Sequence, residues 1–149
     1  MTARAGRGAE RLAGGALGAH VVELCACHGI TWRLGGRGRA EVRGRGSGRR
    51  QLIRTPAVRG QVSYFIALHE IGHLVGPGRS GTRLEKEAAA WRWALANSVV
   101  YPTETTRRRI GARLRSYVAW AELRQHRRRP PVLPSPTSDF WTLLGDLEA

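Results

Sequence analysis

The sequence predicts an α+β domain in which a short sheet packs on one central helix and on the helices that follow it. Three observations carry this expectation. A chain of 149 residues, 42% hydrophobic, is long enough to bury a single core. Short strand-like runs lie before residue 56, whereas apolar residues recur at helical spacing after residue 61. Between the later runs stand emphatic helix stops and caps.

Taken in order, residues 1–9 read as a disordered, glycine- and arginine-rich start. Residues 10–27 have helix-like spacing, with Leu12, Ala16, Ala19, Val22 and Leu24 near one side and Gly14, Gly15 and Gly18 weakening it. Residues 30–34 form a short strand. Residues 35–50 read as a mobile hairpin or loop with a hint of strand at 40–42, and residues 51–54 as an edge strand closed by Thr55-Pro56. The strongly apolar run 62–75 is a helix ended by Gly76-Pro77-Gly78. Thr82-Arg83-Leu84-Glu85 opens a second helix with a capping-box pattern, and Leu84, Ala88, Trp91 and Leu95 give it an apolar stripe to about residue 98. Trp91 and Trp93, two apart, cannot share a face, so one belongs to the core and the other to a contact surface or pocket wall.

Residues 103–125 make a third helix, with Ile110, Leu114, Tyr117, Val118 and Ala121 on one stripe. The domain is expected to span residues 10–129. A proline-rich linker and a short amphipathic tail (Phe140, Leu143, Leu144, Leu147) then occupy 130–149, and the tail docks either on the domain or on a partner.

Charge narrows the function. The chain carries 25 Lys and Arg against 11 Asp and Glu, a formal net charge of +14, nearly all of it arginine. Such a balance points to an anionic partner, or to nothing more than arginine-rich coding. It is not spread evenly. Residues 1–60 are net +9 and residues 101–129 net +7, whereas residues 61–100 are only +1 and the tail is −3. Chemistry in the middle of the chain is therefore not polyanion binding by composition; the flanks can bring it close to acidic or DNA-bound substrates. No apolar run is long enough for a transmembrane helix, and no cleavable leader is evident. Two cysteines one residue apart, Cys25 and Cys27, make no disulfide framework, so a cytoplasmic protein without membrane attachment is expected.

The near-neutral middle contains His69-Glu70-Ile71-Gly72-His73, an HExxH motif. Residues four apart stack on one helical face, so both imidazoles can reach one ion, and neutral imidazole suits Zn²⁺. Glu70 is placed to take a proton from water that zinc acidifies to a pKa of about 7. Two imidazoles and a carboxylate on so apolar a helix would be costly without a metal or hydrogen-bond partners.

A catalytic zinc needs a third protein ligand. The continuation HExxHxxGxxH fails, because Arg79 stands where its third histidine belongs. Glu85 and Glu87 are the candidates on the next helix. Glu87 is preferred, since Glu85 is explained as the capping partner of Thr82 and Glu87 shares a face with Trp91 and Ala94. A weaker rival is the Cys25-Ala26-Cys27-His28 cluster. Tyr101, Tyr117 and His126 are open candidates for an oxyanion donor.

The segment Ala67-Leu68-His69-Glu70-Ile71-Gly72-His73-Leu74, followed by Glu85-Lys86-Glu87-Ala88 and an aromatic, alanine-rich helix, resembles the ImmA/IrrE-type metallopeptidases over roughly residues 51–100. Ala89 replaces the asparagine usual in that family's second motif. The resemblance implies a small zincin-like domain, His69, His73 and Glu87 as zinc ligands and Glu70 as general base. It also implies an intracellular protein, often encoded on prophages or mobile elements. The implied activity is zinc-dependent hydrolysis of a peptide bond in a protein, of which a DNA-binding transcriptional repressor is the type. The competing expectation is a basic nucleic-acid-binding or interaction module with a structural or vestigial zinc.

Overall fold

The computed structural model describes residues 15–77 and 81–149. The expected start (1–9), the first residues of the first predicted helix and Arg79 lie outside the described residues. The fold is α+β: helix α1 (Ala16–His28), strands β1 (Ile30–Leu34), β2 (Arg39–Arg43) and β3 (Arg50–Thr55), then helices α2 (Gln61–Val75), α3 (Arg83–Asn97), α4 (Glu104–Glu122) and α5 (Asp139–Glu148). Among the described residues no helix is long and apolar enough to cross a membrane.

The sheet has the order β1-β3-β2, with β1 parallel and β2 antiparallel to β3. The expectation of an edge strand at 51–54 is therefore wrong: β3 is the central strand, and Ile53 faces Trp32 on one side and Ala40 on the other. Pro56 misled the reading. It lies just beyond the last residue of β3, where its missing N–H removes no ladder bond. Residues 35–50, read as a mobile hairpin or loop, contain β2 and a 3-10 turn at Gly46–Gly48. β2 bears out the hint of strand at 40–42; none of its residues is fully buried, so no buried face sets it apart from a loop.

Helix α1 is present, but it buries Gly18, Val21 and Cys25 and leaves Ala16 and Ala19 exposed. With small residues and glycines throughout, the helical period marks the buried side of this helix only weakly. Gly29 closes α1 in the left-handed conformation (φ 65°) and starts β1 without a loop.

Helix α2 is the centre of the molecule. Tyr64 through Gly72 are all buried, and the helix touches α1, β2, β3, α3 and α4. A helix apolar on every side has no solvent face and must be surrounded. Its closest neighbour is α3, and the crossing depends on Gly72. A Cβ there would stand 2.7 Å from the carbonyl oxygen of Ala90. Thr82 caps α3 by accepting the Glu85 amide hydrogen at 3.3 Å, and Thr103 caps α4 by accepting that of Thr106 at 3.2 Å.

The amphipathic tail folds onto its own chain. Helix α5 packs on α3 and α4 and buries Phe140, Leu143, Leu144 and Leu147. Two arginine–carboxylate forks fasten its ends, Arg92 to Asp139 (2.9 and 3.0 Å) and Arg115 to Glu148 (2.7 and 3.0 Å).

Candidate metal centre

The HExxH residues occupy the last two turns of α2, on the side that meets α3. His69 is 4% exposed, and its ring is stacked on Trp91 of α3, with centroids 4.1 Å apart and planes at 18°. His73, one turn on, is edge-on to His69 at 4.5 Å. The two intervening residues are structural: Ile71 is fully buried and Gly72 admits α3.

That close crossing brings Glu87 over the histidine pair. One carboxylate oxygen, Oε2, lies 2.9 Å from His69 Nε2 and 3.2 Å from His73 Nε2. Donors held around zinc at 2.0–2.1 Å in tetrahedral geometry stand about 3.3 Å from one another. Glu87 Oε2 thus already stands nearly a tetrahedral edge from each imidazole nitrogen, and the chemistry of this donor set fits a zinc ion. Behind them, His69 Nδ1 is 3.2 Å from Glu70 Oε1. A carboxylate on Nδ1 fixes the tautomer that leaves Nε2 for a metal. One ligand atom each of His69, Glu70 and His73 also lie within 4.8 Å of one another, a group that does not include Glu87.

The electrostatics follow from burial opposed by hydrogen bonds. Burial alone would lower the His69 pKa, but hydrogen bonds to Glu70 and Glu87 outweigh it and raise it. Burial alone would raise that of Glu87. The two imidazoles reverse the effect and hold its carboxyl far below the usual range. Glu87 is therefore an anion despite being mostly buried.

The other expected residues are placed as follows. Glu85 sits in the first turn of α3, its amide bonded to Thr82 and its carboxylate beside Gly81, away from the histidines. Cys25 is buried, with its thiol pushed up to about 12 by desolvation. Cys27 is exposed, and His28 meets the edge of Trp93; none joins the ligand group. Of the three oxyanion candidates, only Tyr117 lines the site; Tyr101 is 95% exposed and His126 is exposed. Of the tryptophans, Trp91 is core, and half-buried Trp93 covers Gly72 and Gly76.

The centre opens into a cleft of about 530 Å³. Its floor is His69, Glu70, His73 and Glu87; its walls are the β1–β2 turn with β2 on one side and Arg113 and Tyr117 of α4 on another. Gly38, with φ +125°, lets the turn lie against Glu70: a Cβ there would be 3.1 Å from Oε1. A second recess of about 320 Å³ shares Glu87 and Tyr117 and is lined by Leu84, Arg83 and Trp120, whose ring meets the guanidiniums of Arg83 and Arg124 at 4.4 and 4.8 Å. Burial, and next the charge of Glu87, push the Tyr117 phenol well above its ordinary value, so it keeps its proton. The indole N–H of Trp91 reaches no acceptor at hydrogen-bond distance, although it lies near enough to Tyr117 to oppose that shift weakly.

Gly38 and the β2 wall were not singled out from the sequence. The only available signal was the density of glycines before Ala40, which marks places where backbone must approach something closely. No family model, curated protein or solved structure matches the chain.

Proposed function

We propose that the protein is a zincin-like, zinc-dependent metallo-endopeptidase acting on a cytoplasmic protein, with a transcriptional repressor as the substrate type implied by the ImmA/IrrE resemblance. One observation carries the reading: a single oxygen of Glu87 held against both Nε2 atoms of an HExxH pair, at the floor of an open cleft.

His69, His73 and Glu87 would hold the ion. When bound, zinc supplies Lewis acidity, polarising the scissile carbonyl and acidifying water. Glu70 is the proton carrier. Its Oε1 is engaged by His69, while Oε2 makes no hydrogen bond among the described residues and is left to accept a proton from the attacking water. The same oxygen then returns the proton to the leaving amine. Tyr117, neutral and lining the cleft, donates its hydroxyl hydrogen to the carbonyl oxygen as charge develops there. Trp91, fully buried and stacked on His69, keeps water from the back of that ring.

The test is hydrolysis of a peptide library by the zinc-supplemented protein, wild type beside Glu70→Gln. Loss of a positioned general base costs about 10²–10⁴-fold in rate. The substitution should leave zinc content unchanged. Undiminished cleavage by Glu70→Gln would remove Glu70 from the chemistry.

A further inference from the structure

The two basic flanks of the sequence fold back onto the neutral catalytic segment, and each contributes to the cleft. From the first flank come Arg37, in the β1–β2 turn, and Arg39, at the start of β2; from the second comes Arg113 of α4. Arg39 is already paired with Glu41 at 2.9 Å. Arg37 is exposed, Arg113 is half-buried beside Tyr117, and neither has a carboxylate partner among the described residues. A guanidinium held without a partner on a cleft wall is a ready fork for a carboxylate.

The wall itself selects for an extended chain. β2 pairs with β3 on one side only, and its outer edge meets no strand among the described residues. Gly38, Arg39, Ala40 and Val42 along it line the cleft. An open strand edge takes an extended peptide through main-chain hydrogen bonds. Single-stranded nucleic acid is read on successive aromatic platforms, and beyond the two imidazoles of the metal centre this cleft offers one aromatic ring, Tyr117.

We propose that the cleft takes an extended peptide laid along β2 whose acidic side chains, next to the bond at the metal centre, are gripped by Arg37 and Arg113. This rests on the peptidase reading for the position of that bond, but the grip is a property of binding and is measured as such.

The experiment is a calorimetric titration of full-length, zinc-supplemented Glu70→Gln, in which a bound peptide stays intact, at low ionic strength. Two short capped peptides are compared, identical except that an Asp-Glu pair in one is Asn-Gln in the other. The acidic peptide should bind about tenfold more tightly, the value of two partly desolvated charge contacts. Adding Arg37→Gln and Arg113→Gln should erase the difference without changing zinc content. Arg37→Glu with Arg113→Glu should turn the preference toward a Lys-Lys peptide, a gain that an unfolded variant does not show.

Equal affinities, no binding of either peptide, or an acidic preference that survives the double substitution would overturn the proposal. So would displacement of the acidic peptide by a more tightly bound oligothymidylate, which would assign the arginines to nucleic acid. Acid-selective binding with no cleavage by the wild type leaves this inference standing and removes the peptidase reading. Cleavage of both peptides alike, with equal affinities, does the reverse.

Discussion

The floor of the cleft is made where two helices cross at Gly72, whereas its rim is made by a glycine-rich turn, one sheet edge and one face of α4. On the floor, ring is stacked on ring and the polar groups meet one another: His69 touches Trp91, Glu70 and Glu87 at once. The rim has exposed arginines, one of them without an ionic partner, and a strand with an open edge. The difference teaches a division of labour. Positions that must be accurate are set by buried packing, which has few solutions; positions proposed to meet a substrate sit where a change costs the fold little.

That division can be broken from either side. The largest effect is expected at Trp91, fully buried behind His69. Trp91→Ala should cost about 3–5 kcal/mol in denaturant unfolding. Next comes the crossing itself. Gly72→Val drives side-chain carbon into the Ala90 carbonyl and should cost roughly 1–3 kcal/mol by thermal unfolding. It should also lower zinc occupancy by moving Glu87 away from the histidines. If Gly72→Val kept both stability and zinc, the crossing would not be what assembles the site.

The rim should behave differently. On the peptidase reading, Tyr117→Phe should slow peptide hydrolysis by about 10²–10³-fold, with unchanged zinc content and nearly unchanged melting temperature. A large loss of stability would move Tyr117 from the reacting side of the cleft to the packing side. The smallest effect lies at the tail. Hydrogen bonds from Arg92 hold the Asp139 carboxyl below its ordinary value, so this contact stabilises the fold above the ordinary carboxylate pKa and fades as pH falls through the lowered one. Asp139→Asn should therefore flatten the acid limb of the stability curve. Asp139 is well exposed, so the change should stay below about 1 kcal/mol.

The floor was also the more legible part in the sequence. A motif with four-residue spacing, a capped helix after it and a glutamate left over once the cap was satisfied are local signals, and each refers to one helix face. The rim was not legible, because its elements depend on pairing between distant segments. β3 looked like an edge strand since Pro56 is visible in sequence and the two neighbouring strands are not. β2 gives only a hint of strand at 40–42, because none of its residues is fully buried and Val42 is exposed. The tail's docking surface, likewise, exists only after α3 and α4 have packed. Charge told a half-truth: the segments carrying it were plain, but not that two of them meet around one cleft.

The account stands on the metal centre, and metal content of the purified chain tests it most directly. Wild-type protein and Glu85→Ala should each carry one zinc per chain after growth with zinc, and Glu87→Ala should carry little or none. Equal zinc in the wild type and Glu87→Ala, or none in the wild type, would contradict it.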